Sequence, residues 1–177
     1  LFPVPGTGQE ITPLCPNALS TCKGGVFTGI QEWVYERVVT LPAQCTDWTF
    51  SYELCCRNAA INTITNPLTN TFYIYATLNN TISPCNTSPV FSNKPVPFAC
   101  LGQELCFNHG ASDVDGDSLV YELITPKQND STDVSYIAPF SASNPLTSNP
   151  PVSFNTSTGD ICMTPTQLDI TVMAVLV

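Results

Sequence analysis

The stretch "DWTFSYEL", residues 47–54, decides the fold class. Trp48, Phe50, Tyr52 and Leu54 alternate with Thr49, Ser51 and Glu53. In an extended chain, successive side chains point to opposite faces. A period of two therefore predicts a strand with one apolar and one polar face. "NTFYIYATL", residues 70–78, repeats the pattern with Phe72, Ile74, Ala76 and Leu78 on one face. "EWVYERVVTL", residues 32–41, sets Trp33, Tyr35, Arg37 and Val39 against Val34, Glu36, Val38 and Thr40. The β-branched and aromatic side chains that fill these runs suit a pleated surface.

Working outward, 16 prolines and nine glycines punctuate the chain, and no long window keeps a 3.6-residue period. Only "NALSTC" and "PTQLDI" have room for a single helical turn. Further strands are predicted in "ELCFN", "SLVYEL", "DVSYI", "PVSFN", "DICM" and "LDITVMAVLV". "APFSASNPLTSNPP", residues 138–151, reads as a long polar surface loop. The class is all-β, as two consecutive Ig-like β-sandwich domains. The Pro-rich stretch 81–98 reads as a stiff connector, which places the domains at 1–84 and 85–177.

The chain has 177 residues, 14 acids against five Lys and Arg, and a net charge of −9. Nucleic acid and anionic membrane both need a basic face, so neither is an expected partner. No stretch reaches the length of a membrane span. With no initiator Met and no signal peptide, the chain reads as a mature or trimmed product.

Nine cysteines without a CxxC pair, and a single histidine, His109, argue for disulfides in an oxidising compartment rather than zinc. Cys15–Cys22 is a plausible local loop, and Cys45 has Cys55 or Cys56 within reach. Nine is odd, which leaves one thiol free, buried or bonded to another chain.

The strongest chemical signal is "FNHGASDVDGDSLVYEL", residues 107–123. Asp113, Asp115 and Asp117 stand at alternate positions around Gly116. On one straight strand they would repel across a shared face. A curved loop lets them converge with loop carbonyls on a calcium ion, which takes six to eight oxygens at about 2.3–2.6 Å. Two other readings stay open: an acid-rich β-turn, and a catalytic cluster with His109 four residues upstream. An EF-hand does not fit, because Ser118 and Ile124 stand where its Gly and Glu should be. His109 itself reads as a turn histidine bonded to the backbone.

"ASDVDGDSLVY" with "CNTSPVF" resembles cadherin-like repeats, in which an Asp-x-Asp loop ligates calcium at the junction with the preceding repeat. That resemblance implies Asp113 and Asp115 as ligands and adds Asn86, ahead of Pro89 and Phe91, as a fourth metal-site residue beside Asp117. A wider match runs over residues 25–177. "YERVVTLPAQCTDWTFSYELCCRNAAINTI", "NTSPVFSNKPVPFACLGQELCFNHGASDVDGDSLVYEL" and "FNTSTGDICMTP" are similar to the N-terminal region of large secreted surface proteins of gliding Bacteroidetes, of the gliding-motility-associated or PKD type. This resemblance implies type IX secretion and display at the cell surface.

The expected function is therefore a non-enzymatic extracellular module of an adhesin or filament, stiffened by Ca2+ and disulfides. Its expected partners are other copies of itself, neighbouring modules of a longer surface protein, and glycans. The apolar run 168–177 and the Pro-rich start "LFPVPG" are the expected contacts between copies. The alternative is a carbohydrate-binding or carbohydrate-processing module using Trp33, Trp48, Tyr73 or Tyr75, although their periodicity also suits sheet packing.

Overall fold

The computed structural model describes residues 2–14, 17–83, 85–95 and 98–177. The protein is all-β, with 3-10 turns at Thr21–Lys23 and Pro67–Thr69. The strands are β1 (Gln9–Glu10), β2 (Gln31–Glu32), β3 (Trp48–Leu54), β4 (Phe72–Leu78), β5 (Val90–Phe91), β6 (Leu105–Phe107), β7 (Ala111–Ser112), β8 (Glu122–Ile124), β9 (Ser153–Phe154), β10 (Ile161–Met163) and β11 (Ala174–Leu176). They form small antiparallel sheets: β1–β2, β3–β4, β5–β7, β8–β11 and the three-stranded β6–β10–β9. The chain divides into two compact units, one of residues 1–43 with 94–98, the other of 44–93 with 99–177.

In the first unit, β1 and β2 pair Gln9 with Glu32 and Glu10 with Gln31. Glu10 is its polar centre. Its carboxylate accepts from Thr12 Oγ1 at 2.9 Å and from the buried Ser20 hydroxyl, and pairs with Lys23 Nζ at 3.1 Å. These contacts, the Ser20 hydrogen bond first, hold the Glu10 carboxyl below its ordinary range. The expected strand 32–41 forms only at its start. Glu32 ends β2, Val34 O accepts from Val4 N at 2.8 Å, and Tyr35 bridges Pro3. No ladder continues beyond Tyr35 among the described residues, so the periodicity there is not converted into a sheet.

In the second unit, β3 and β4 pair over their full length, from Trp48 opposite Leu78 to Leu54 opposite Phe72. Directly paired residues share a face. The two apolar rows read from sequence therefore form one continuous apolar face, with Tyr73 and Tyr75 on the other. The unit has two buried clusters. Ile61, Ile64 and Val134, joined by Tyr136 and Val172, make the first. Leu146, Ile161 and Met163, joined by Leu105, Val152, Phe154, Met173 and Val175, make the second.

Residues 63–65 lie against 135–137, through Thr65 N to Ser135 O at 2.9 Å and Ile137 N to Thr63 O at 2.9 Å. Residues on both sides of the 81–98 stretch thus share one core. That stretch also holds β5, so it is more than a connector.

Two expectations change here. The 138–151 loop is not merely a surface loop, because Pro145 and Leu146 are buried and Leu146 anchors the second cluster. A polar-looking run hides two adjacent apolar residues that the core can take. The terminal run 168–177 is a strand only over β11. Upstream, Val172 enters the first cluster and Met173 the second, while Leu168 stays exposed.

Two disulfides are described. Cys106–Cys162 cross-links β6 and β10 at a directly paired position. It closes a loop of sequence separation 56, so the chain-entropy estimate of its contribution is about 4 kcal/mol. Cys55 bonds to its neighbour Cys56, which removes both as partners for Cys45. Cys45 Sγ instead donates to Asp47 Oδ1 at 2.8 Å. Cys15 lies outside the described residues, so the Cys15–Cys22 pairing does too.

The β9–β10 connection depends on Gly159. Its φ is +77°, and a Cβ there would come within 2.7 Å of the buried Tyr121 ring. Gly159→Ala should therefore destabilise the protein by about 1–3 kcal/mol. Urea unfolding of the oxidised chain measures this directly, and an unchanged midpoint would contradict it.

Candidate calcium loop

The loop that carries the acidic residues is set by β7 and β5. Val90 pairs with Ser112 and Phe91 with Ala111. This pairing lays residues 86–89 beside the start of the 113–117 loop, so the structure does bring Asn86 to the same end of β7 as the acids. The contact is explicit one residue on, where Thr87 N donates to Asp115 Oδ2 at 2.6 Å.

Asp113 organises the loop from within. Its Oδ1 accepts from Asp115 N at 2.8 Å and from Asp117 N at 3.2 Å. A carboxylate that takes two amides of its own loop curls the chain around itself. Gly116 completes the curl at φ +84°. Asp113 is half-buried, whereas Asp115, Asp117 and Asn86 are exposed. Asn86 Nδ2 reaches only Thr87 O, at 3.4 Å.

Asp113 and Asp115 each commit one carboxylate oxygen to backbone amides, and among the described residues no hydrogen bond engages the other. Asp117 offers both of its oxygens to solvent. Among the described residues, no three His, Cys, Asp or Glu side chains converge closely enough to hold a metal ion as they stand. The donor chemistry is that of a hard cation, and the exposed side chains are the ones that would have to swing inward.

The base of the loop is braced by a network that the sequence did not reveal. Asn108 Nδ2 donates to Thr158 O at 2.7 Å and to Asp160 Oδ1 at 2.8 Å, while Asn108 Oδ1 accepts from Gly110 N at 2.6 Å. Thr158 Oγ1 donates to Asp160 Oδ2 at 2.6 Å. The Thr158 and Asn108 bonds hold the Asp160 carboxyl below its ordinary range. On the other side, Asn93 Nδ2 donates to Asn108 O at 2.7 Å and Ser92 Oγ to Gly110 O at 3.1 Å. Asn108, five residues ahead of the Asp-x-Asp loop, was the available signal, but its side-chain partners Thr158 and Asp160 lie about 50 residues away in sequence.

His109 does not act as expected. Its ring stands edge-on to Phe107, 4.9 Å between centroids, and to Phe91 at 6.0 Å. Its Nδ1 is buried with no hydrogen-bond partner, and no ion pair joins it to Asp113 among the described residues. The imidazole is thus a packing element between two strands rather than a backbone ligand.

Protein-family models, curated proteins and solved structures give no match to this chain. No helix among the described residues is long and apolar enough to cross a membrane.

Burial holds the His109 imidazole below its ordinary value of 6.5. The unfolded chain then binds a proton at higher pH than the folded one. Stability from this group is therefore full above about pH 6.5 and falls as the pH drops towards the folded value. His109→Phe should flatten the dependence of the thermal midpoint between pH 7.5 and 5, and an unchanged slope would show that other groups set it.

Proposed function

We propose that this chain is a non-enzymatic extracellular module of a cell-surface adhesin or filament, stiffened by disulfides and by calcium in the Asp113–Asp117 loop. The observation that carries the reading is the Cys106–Cys162 bond across paired strands. A covalent staple in the middle of a small sheet persists in oxidising surroundings and adds most where the core is thin. The core here is thin: among the described residues seven hydrophobic side chains are buried, and many large apolar ones remain exposed. Ig-like sandwich architecture, cell-surface display and type IX export belong to the same proposal. They are supported by the resemblance to secreted surface proteins of gliding bacteria.

The calcium part rests on the latch between Asp115 and Thr87. An ion shared by Asp113, Asp115, Asp117 and Asn86 would cross-brace the loop and the 86–89 segment. It would also relieve repulsion among the three carboxylates. A ligand bound only by the folded state adds about 2.7 kcal/mol at a hundred times its dissociation constant. Millimolar calcium should raise the thermal midpoint relative to EDTA. Asp115→Asn should reduce the shift strongly, and Asp130→Asn, outside the loop, should leave it intact. Equal midpoints in calcium and EDTA, with no ion retained in native mass spectrometry, would remove calcium from the proposal.

A carbohydrate-binding role is the second reading, favoured by one feature. The Trp33 ring lies over Gly8, where a Cβ would come within 2.7 Å, yet it remains 49% exposed. A ring braced on one side and open on the other can stack on a sugar. Binding on a glycan array that is lost in Trp33→Ala and insensitive to EDTA would favour this reading over the structural one.

A further inference from the structure

We infer that His109 is an acid-sensitive latch: a proton on its ring detaches residues 87–93 from the 109–112 segment and so frees the acidic loop from its outside support. The inference deepens the surface-module reading and rests on it for the consequence, an element that is stiff at neutral pH and softens in acid.

The latch closes a short and thinly covered pairing. β5 and β7 share two residue pairs, Val90 with Ser112 and Phe91 with Ala111. Two amides extend the ladder: Ser92 N donates to Gly110 O at 3.2 Å, and Asn93 N donates to His109 O at 3.0 Å. Val90 and Phe91 both stay exposed, so little apolar burial holds β5 in place. Gly110 sets the register, because its φ is +64° and a Cβ there would strike Ser92 Oγ. A slip of one residue would bring the Cβ of His109 or Ala111 to that place. The segments therefore separate instead of sliding.

The imidazole joins the strand that can leave to the strand that stays. Its ring centroid lies 6.0 Å from that of Phe91 in β5 and 4.9 Å from that of Phe107 in β6. β6 is fixed by three residue pairs with β10 and by the Cys106–Cys162 bond. β5 has no such anchor among the described residues, so the ring contact is a large part of what holds it.

A proton has nowhere to be shared in the closed arrangement. Nδ1 is buried with no hydrogen-bond partner. The titratable groups on the elements around the ring are Glu104 before β6, Asp113, Asp115 and Asp117 after β7, and Asp160 before β10. β5 and residues 92–93 carry none. Among the described residues no acid bonds to the imidazole, and Asp160 is taken by Thr158 and Asn108. Burial accordingly holds the imidazole below its ordinary value. Opening lets the ring reach water and take the proton, so acid favours the open form. Opening also withdraws Thr87, whose N–H donates to Asp115 Oδ2 at 2.6 Å. Asp115 then loses its tie to the segment before β5, and the loop keeps only the bonds that Asp113 makes within it.

The test is amide hydrogen exchange by NMR on the full, oxidised chain, with rates corrected for the intrinsic pH dependence. It is run in EDTA, so a failed latch cannot be mistaken for a failed calcium site. A proton taken only by the open form, at an ordinary histidine value near 6.5, increases opening about tenfold between pH 7.5 and 5.5. Protection of the Ser92 and Asn93 amides should fall by about that factor, while the β6–β10 ladder keeps its protection. The His109 ring resonance and the Thr87 amide resonance should move with the same midpoint. His109→Phe keeps an aromatic ring against Phe91 and Phe107 without a titrating group, and there the protection at Ser92 and Asn93 should not change with pH.

Three results would overturn the inference. Protection at Ser92 and Asn93 that is unchanged down to pH 5.5 would show that the pairing ignores the ring. An equal loss in His109→Phe would assign the effect to another group. A loss shared by the β6–β10 ladder would mean that the whole unit unfolds and no latch opens. The wild-type measurement decides alone where His109→Phe does not fold, because the ring titration and the amide protection must then coincide. None of these results bears on the calcium shift of the thermal midpoint, so the surface-module reading stays separately testable.

Discussion

Asn62 holds Ile170 from both sides of the backbone: its N–H donates to Ile170 O at 2.9 Å and its Oδ1 accepts from Ile170 N at 2.9 Å. One residue on, the buried Thr63 hydroxyl meets Thr171 Oγ1 at 2.8 Å. These bonds fix a segment that follows β3 against the terminal run, 108 residues away in sequence. With that register set, Ile64 faces Val134, Val172 joins the same cluster, and Met173 and Val175 enter the other. A side-chain amide that mimics a strand partner thus aligns two cores. The Asn62 backbone N–H and Oδ1 and the Thr63 hydroxyl are satisfied in place, so this contact gains order without leaving those groups unpaired.

A second group of contacts depends on this arrangement. Tyr136 donates to Val172 O at 2.7 Å, and burial pushes its phenol up to about 12. Arg57 lies nearby, its Nη2 donating to Lys127 O at 2.9 Å and its guanidinium 5.7 Å from the Phe72 ring centroid. Burial lowers the Arg57 pKa, yet the group stays charged and stacks on the end of β4. The chain after the Cys55–Cys56 pair is therefore tied at once to Lys127 and to the end of β4, and Tyr73 of β4 bridges Lys127 as well. An economy of apolar burial runs through the molecule. Short ladders, side-chain bonds and a cross-strand disulfide do what a thick core does elsewhere.

The acidic loop 113–117 illustrates how pattern and context divide the information. Three acids at alternate positions around Gly116 were enough to indicate a curved loop, and Asp113 does curl the chain by taking the amides of Asp115 and Asp117. Asn86, added by resemblance, does lie at the same end of β7, because β5 pairs there. What the pattern lacked was the support: Asn108 with Asp160 and Thr158, and the edge-on stacking of His109. These depend on β6 pairing with β10, a neighbour relation that no local spacing encodes.

The sequence by itself determined the class and the faces. Alternation in residues 48–54 and 72–78 reports which side chains share a side, because the period of an extended chain is two whatever its surroundings. It also marked the strands at 105–107, 153–154 and 161–163 within a residue or two. Only the tertiary structure decided which of these patterns found partners. Residues 32–41 carry as clear an alternation as β3, yet among the described residues no ladder continues past Tyr35, since a strand is completed by a neighbour and not by its own composition. The burial of Pro145 and Leu146 inside a polar run, and the choice of Cys162 rather than another thiol for Cys106, were settled the same way. Both depend on contacts between residues far apart in sequence, whose free energy belongs to the pair and is written in neither segment alone.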